Sequence, residues 1–282
     1  MQALAGSARA ALEEAVAHRA SIGLEQVVEQ AALQTRVDRK FLLTPAEFTA
    51  LARRLGEDFR IMEIDGLRTF RYESVYFDTR DFAQYRAHRQ GRRRRYKVRS
   101  RTYADTGLAM FEVKTKGLRG ATVKHRIEQE LDDAGRLTDR SLEFLEAVVA
   151  REYGEDVPEL LPVLDSSYIR GTFVNPQDGE RVTCDVELEY ADGRQQVQGP
   201  DLVVVETKSA NGRGSSDQAL AALGLRPVSM SKYCIGVALL NPQLPANKWS
   251  RLLEQRFGSF RHASGPRTRS ATPGRRPPEG RR

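Results

Sequence analysis

Between Arg95 and Tyr103 the chain alternates with a period of two. Arg95, Lys97, Arg99, Arg101 and Tyr103 fall on one parity, and Tyr96, Val98, Ser100 and Thr102 on the other. Successive side chains of a β-strand point to opposite faces, so four cations would share one face. The pattern then repeats. Glu112, Lys114 and Lys116 oppose Phe111 and Val113; Lys124, Arg126, Glu128 and Glu130 oppose Val123, Ile127 and Leu131. Further on, Tyr168, Arg170 and Thr172 oppose Ile169 and Phe173. Arg181, Thr183, Asp185, Glu187 and Glu189 oppose Val182, Cys184, Val186, Leu188 and Tyr190, and Glu206 and Lys208 oppose Val205 and Thr207. One such strand is ordinarily a solvated surface. Its recurrence leaves two arrangements: a sheet with water over its ionic face, or a sheet curled into a barrel whose charged lumen holds a charged ligand. Mixed signs with cations in excess favour the lumen, with cations for an anion and carboxylates for a metal that accompanies it.

A chain of 282 residues, 40% hydrophobic and 29% charged, suffices for one large domain or two small ones. It has no run of about 18 apolar residues to span a membrane. Glu13, Glu14 and Glu25 interrupt the N-terminal segment, which does not read as a signal peptide. Cys184 and Cys234 lie in apolar, strand-like contexts without a CxxC spacing, which points to buried thiols in a reducing cytoplasm. The histidines His18, His88, His125 and His262 are scattered, with no zinc-site spacing. The formal net charge is +7, and residues 251–282, with nine arginines against two glutamates, account for all of it. The basic character thus belongs to a tail, which invites nucleic acid, polyphosphate, an anionic membrane surface or a membrane-protein partner.

Three regions follow: an N-terminal helical extension over 1–34, a folded domain over 35–245 and a basic Pro/Gly/Arg-rich disordered tail over 246–282. In the first, Leu4, Ala8, Ala11, Leu12 and Val16 form a helical stripe, broken at Ser21–Gly23 and resumed by Leu24, Val27, Val28 and Ala31. In the second, Arg36–Leu43 reads as strand, with Asp38 and Lys40 on one parity. Thr44-Pro45-Ala46-Glu47 then starts a helix by capping chemistry, and Gly56 stops it. Strands are predicted over 68–78, 163–174, 180–190, 201–209 and 231–239 besides the three around Arg99. Helices are predicted over 139–153 and 216–223, with a helical turn over 78–88. The expected fold is α+β: an antiparallel β-barrel tunnel of about eight or nine strands, mostly hairpin-connected, whose outward apolar parity is covered by flanking helices such as 44–55 and 139–153.

Eight short stretches occur in a telling order: Arg36-Val37-Asp38-Arg39-Lys40-Phe41, Tyr76-Phe77-Asp78-Thr79, Arg99-Ser100-Arg101-Thr102-Tyr103, Phe111-Glu112-Val113-Lys114, Tyr168-Ile169-Arg170, Arg181-Val182-Thr183-Cys184-Asp185, Val205-Glu206-Thr207-Lys208 and Ser231-Lys232-Tyr233. Over about residues 36–240 this series resembles the VTC domain, the catalytic module of the vacuolar transporter chaperone polyphosphate polymerase and its bacterial relatives, within the triphosphate tunnel metalloenzymes. The resemblance implies that ATP, inorganic triphosphate or polyphosphate binds in the tunnel with Mn²⁺ or Mg²⁺. It also implies transfer of the terminal phosphoryl group of ATP to a growing polyphosphate chain. The phosphate ligands and catalytic cations would be Lys40, Arg99, Arg101, Lys114, Arg170, Arg181 and Lys232, with Tyr168 and Ser231 helping; Glu206 would hold the metal, and Arg126 and Lys208 would line the tunnel. Two positions depart from the family pattern. Asp38 stands where a glutamate is usual, and Ser229 where the eukaryotic polymerase has lysine. The membrane-embedded segments of the eukaryotic complex are also missing from the chain.

The residue types suit that chemistry. Arginine offers a planar fork to two phosphate oxygens, lysine a point charge, and phosphoryl transfer depends on positioning and charge neutralisation. The nucleophile separates the outcomes: a phosphate end gives a polymerase, an activated water a triphosphatase. Glu112, Glu128, Glu130, Asp185 and Glu187 are candidates for a second metal ligand or water activator, or are salt-bridge partners of lumen cations. Two other readings stay open. One is a non-catalytic polyphosphate-binding protein; the other is nucleic-acid binding through Arg92–Arg95 and the tail, with Tyr96 and Tyr103 as thin stacking support.

Overall fold

The computed structural model describes residues 6–31, 37–117, 122–258 and 262–263. Helices α1 (Ala8–Ala17) and α2 (Leu24–Ala31) flank a short strand β1 (Ser21–Gly23). The chain continues through β2 (Val37–Leu43), α3 (Pro45–Arg54), β3 (Arg60–Glu63), β4 (Thr69–Asp78), α4 (Ala83–Gln90), β5 (Tyr96–Tyr103), β6 (Leu108–Lys116) and β7 (Thr122–Gln129). Next come α5 (Asp139–Tyr153), β8 (Leu161–Asn175), β9 (Glu180–Ala191), β10 (Gln196–Gln198), β11 (Val203–Ser209), α6 (Ser215–Ala222), α7 (Lys232–Leu240) and a two-residue strand β12 (His262–Ala263). Of the tail expected to be disordered over 246–282, residues 246–258 are ordered on the core, with a helical turn at Ser250–Leu252 and Trp249 and Phe257 buried; β12 apart, the rest lies outside the described residues, as does Arg36.

Eight strands form one antiparallel row in the order β2-β11-β9-β8-β4-β5-β6-β7. Short strands extend it: β10 and β12 beyond β9, and β3 with its parallel partner β1 beyond β8. The end strands β2 and β7 do not pair with each other among the described residues, so hydrogen bonds do not close the sheet. The row is nevertheless curled. Lys114 of β6 lies within the electrostatic influence of Glu206 of β11, and Lys97 of β5 within that of Lys40 of β2. Each pair is five strands apart, which in a flat sheet would mean about 24 Å at ~4.8 Å per strand. The ionic faces therefore look at one another, as a tunnel-like fold requires.

The apolar parity faces outward and is covered. Phe41 and Leu43, Ile169 and Phe173, Val182, Cys184 and Val186, and Val203 and Val205 pack against Leu12 and Val16 of α1 and Phe48, Leu51 and Leu55. Phe77, Tyr96, Val98, Phe111 and Val113 pack against Leu145, Val148 and Val149 of α5. Capping sets where these helices start. Thr44 Oγ1 accepts from the Glu47 N–H at 3.3 Å while Glu47 accepts from the Thr44 N–H at 2.7 Å, with Pro45 in the first turn. Thr138 and Ser141 close the same reciprocal box at α5, which ends on Gly154 at φ +64°.

Three expectations are corrected. The segment predicted as a strand over 231–239 is helix α7. It is apolar nearly all round, with seven of its nine residues buried, and such a run carries no period to tell strand from helix. Its one local signal is Ser231, whose Oγ accepts from the Cys234 N–H at 3.2 Å as an N-cap. Second, β9 does not keep its parity to the end. Glu187 adopts φ +53° where the β8–β9 register slips, and this bulge flips the rest of the strand. Glu187 thus lies exposed on the α1 side, 4.0 Å from Arg9, and Leu188 and Tyr190 turn inward to join the cluster around α7. Third, Arg95 precedes β5, and its guanidinium folds back onto the carbonyls of Gly91 and Arg92, so three cations of β5 face inward rather than four.

Helix α7 occupies one end of the concave side. A Cβ on Gly236 would sit 2.6 Å from Tyr190 Cδ1 and 2.8 Å from Leu164 Cδ2. Gly236→Ala should therefore lower stability by ~1–3 kcal/mol, the overpacking outweighing the roughly 1 kcal/mol gain in helix propensity. Thermal unfolding followed by circular dichroism would show this as a melting temperature several degrees lower.

Candidate functional site

Each inward cation meets its neighbours because register puts them opposite one another. On β5 and β6, Arg99 lies across from Glu112 and Lys97 across from Lys114. Arg99 donates through Nε (2.7 Å) and Nη2 to Glu112, and through Nη1 to the Tyr76 hydroxyl at 3.2 Å. Lys124 of β7 approaches the other Glu112 oxygen at 3.3 Å. On β8 and β9, Arg170 binds Asp185 with both prongs, at 2.6 and 2.8 Å, and Lys232 from the first turn of α7 pairs with the same carboxylate. Arg101 donates to the Tyr168 hydroxyl at 2.8 Å. On β11 and β2, Glu206 takes Lys208 at 2.8 Å and Lys40 at 3.3 Å, and Lys208 also reaches Asp38 at 3.0 Å.

The structure thus brings Lys40, Arg99, Arg101, Lys114, Tyr168, Arg170, Glu206, Lys208 and Lys232 into one interior band. Arg181 sits on the same face, next to Lys208 in register, and Ser231 caps the helix that delivers Lys232. Arg126 is exposed on the end strand, opposite Glu112. Of the candidate carboxylates, Glu112 and Asp185 are buried in the band, Glu128 and Glu130 are exposed at its edge, and Glu187 is outside it. Arg92–Arg94 lie on an exposed turn, with Arg94 paired to Glu155 at 2.8 Å.

Crowding shows in the protonation equilibria. Burial alone would raise the Glu112 carboxyl, but Arg99, Arg101 and Lys124 outweigh it and hold the group well below the usual carboxylate range. Glu206 is likewise held low, burial being overcome by Lys208 and Lys40, and Asp185 by Arg170 and Lys232. Lys114 is the counterpart. Repulsion from Arg99, then burial, pushes its ammonium well below the ordinary lysine value despite Glu112 and Glu206. Lys97 is lowered chiefly by burial.

Several inward groups escaped the sequence reading. Tyr72 and Tyr76 alternate along β4 with their rings beside the cations. Asp78, in the quoted Tyr76–Thr79 stretch, is fully buried. It accepts from the N–H groups of Thr79, Gln84 and Tyr85 and from the Tyr233 hydroxyl, which pins α7. Ser74 Oγ, Ser166 Oγ, Thr183 Oγ1 and Arg101 Nε are buried with no hydrogen-bond partner among the described residues. An unsatisfied buried polar atom costs about 1–3 kcal/mol, a cost that a ligand or water bound there would relieve. No group of three or more His, Cys, Asp or Glu gathers as a metal cluster among the described residues.

Fold and site define a β-tunnel protein with fixed cations inside and a minority of carboxylates among them. The chain belongs to the VTC domain family, whose sequence model matches residues 35–241. No curated protein matches it in sequence. Among solved structures, it is similar to a Hippeastrum protein described as a putative adenylyl cyclase with a dominant triphosphatase activity. That match has 17% identity and a TM-score of 0.48, covering 71% of this chain and 94% of the other. A Pyrococcus horikoshii protein is similar at 14% identity and a TM-score of 0.39, covering 74% and 100% of the two chains. A conserved hypothetical protein of Pyrococcus furiosus gives 12% and 0.39, covering 71% and 99%.

A depressed lysine lowers stability. Between the depressed value and the ordinary one, the unfolded chain binds the proton more readily than the native protein, so in this window the Lys114 contribution to stability rises with pH. Lys114→Met should accordingly raise the melting temperature at neutral pH, by roughly 1 kcal/mol of stability, while weakening tripolyphosphate binding about tenfold or more. Thermal unfolding and calorimetric titration on the same samples check both halves.

Proposed function

We propose that the tunnel binds a condensed phosphate with a divalent cation and transfers the terminal phosphoryl group of ATP to a growing polyphosphate chain. The observation that carries this reading is the convergence of Lys40, Arg99, Arg101, Lys114, Arg170, Lys208 and Lys232 from six different elements onto one interior. A triphosphate carries about four negative charges near neutral pH, and fixed cations in a desolvated cleft are its electrostatic complement. Arg99, Arg101 and Arg170 would fork onto phosphate oxygens, with Lys40, Lys114 and Lys232 as point charges. Fixed on their strands, they would neutralise the equatorial oxygens in the transition state, Arg99 and Arg170 through the N–H groups that Glu112 and Asp185 do not occupy.

The donor set fits Mg²⁺ or Mn²⁺. Asp38 and Glu206 converge on Lys208, offering one or two hard carboxylate oxygens beside the phosphate cations, and such ions complete their shell with water and substrate oxygens. Held by Asp38 and Glu206, the cation would supply Lewis-acid neutralisation of phosphate charge beside the fixed cations. Polymerase chemistry is favoured over hydrolysis by the state of the carboxylates. Glu112 and Asp185 are each paired with two cations, which leaves their oxygens poorly placed to take a proton from water. A phosphate nucleophile is already anionic and needs no base.

No helix among the described residues is long and apolar enough to cross a membrane. The free, buried thiols of Cys184 and Cys234 support a reducing, cytoplasmic setting.

Incubating the full chain with ATP and Mn²⁺ and resolving the products by size tests the reading. Polyphosphate chains are the expected product; free phosphate alone would replace the polymerase with a triphosphatase, and the absence of both would leave a binding protein. Glu206→Gln should cut turnover by about 100-fold in a chain that still folds, at a somewhat lower melting temperature because Lys40 and Lys208 lose their shared partner, and full activity in that variant would remove the metal assignment. Arg170→Ala should weaken triphosphate binding by about tenfold or more.

A further inference from the structure

We propose that Tyr72 is a positioning residue of the anion site, whose ring holds Arg101 and Arg170 side by side; this rests on the triphosphate reading above. Tyr103, Tyr72 and Tyr168 stand directly opposite one another on β5, β4 and β8, so register lines up three rings on the inner face. Tyr72 stacks on Tyr168 with centroids 5.3 Å apart and planes 10° apart, and meets Tyr103 edge-on at 5.0 Å and 63°. The guanidinium carbon of Arg170 lies 4.9 Å from the Tyr72 centroid and 5.2 Å from that of Tyr168. That of Arg101 lies 5.3 Å from Tyr72, and Lys232 Nζ is 4.2 Å from Tyr168.

Three cations thus share two stacked rings, and Tyr72 is only 7% exposed, so the attraction acts where water does not screen it. A site for anions must hold like charges together while it is empty. Carboxylates do so at the expense of repelling the incoming phosphate, as Asp185 must beside Arg170 and Lys232. The negative face of an uncharged ring offsets the repulsion among the cations without occupying their N–H groups, whereas Asp185 takes two of those of Arg170. Tyr168 also uses its hydroxyl, on Arg101. Tyr72 acts through its face.

The test is tripolyphosphate affinity, by calorimetry, of full-length chains whose melting temperatures are recorded alongside. Tyr72→Leu should bind about tenfold more weakly, and Tyr72→Phe, which keeps the face, within about twofold of the parent chain. Tyr103→Leu removes a ring of the same row that touches none of the three cations, and should also stay within about twofold. Phenylalanine analogues with one, two and three ring fluorines at position 72 keep the shape while draining the face, so affinity should fall stepwise whether or not the leucine variant folds. A flat fluorine series, or Tyr72→Leu binding like the parent, overturns the proposal. If Lys114→Ala still weakens binding in that case, the triphosphate reading survives. Failure of the parent chain to bind tripolyphosphate overturns both.

Discussion

Everything in this fold answers to the crowding of like charge on the inside of a curled sheet. Arg99, Arg101, Lys114, Arg170 and Lys232 approach one another because strands that alternate in charge roll their ionic faces together. Glu112, Asp185 and Glu206 each pair with two cations, which offsets the repulsion across the band. Buried ion pairs of this kind contribute little net stability, since desolvation cancels most of the Coulomb gain. The fold is carried instead by the apolar clusters outside, under α1, α3, α5 and α6, and by the one around α7 within. The charged band is what those clusters make tolerable.

Helix α7 ties the apolar and ionic halves together. Its apolar body fills one end of the interior against Leu164 and Tyr190, while its first turn carries Lys232 to Asp185 and the Tyr168 ring. The anchor is Asp78, the fully buried carboxylate that takes the Tyr233 hydroxyl together with three backbone N–H groups of the turn into α4. The Tyr233 ring lies 5.2 Å from that of Tyr76, whose hydroxyl in turn receives Arg99. A continuous set of contacts therefore runs from the helix to the cations of β5, and the placement of Lys232 is fixed by groups other than the cations it joins.

Much of this was legible in the chain. Period-two alternation separates Lys97, Arg99 and Arg101 from Tyr96 and Val98, and the structure keeps that division, as it does for Glu112 and Lys114 against Phe111 and Val113. It fails where local geometry departs from an ideal strand. The bulge at Glu187 turns two expected lumen carboxylates, Glu187 and Glu189, to the other face, and Arg95 falls before its strand begins. The run at 231–239 gave no usable period because α7 is buried on every side. Tyr72, Tyr76 and Asp78 went unassigned for a different reason: neutral rings and a lone carboxylate look like ordinary core until the cations are seen beside them.

The sequence by itself determined which side chains share a strand face, where α3 and α5 begin, and which family the ordered motifs resemble. These are local properties, set by backbone period, capping chemistry and residue order. Only the tertiary structure decided that the ionic faces of strands five places apart look at one another, that Lys114 comes under the electrostatic influence of Glu206, and that α7 delivers Lys232 into the same band. The curl of a sheet and the register between distant strands are sums over many contacts far apart in the chain, and no single stretch of residues encodes them.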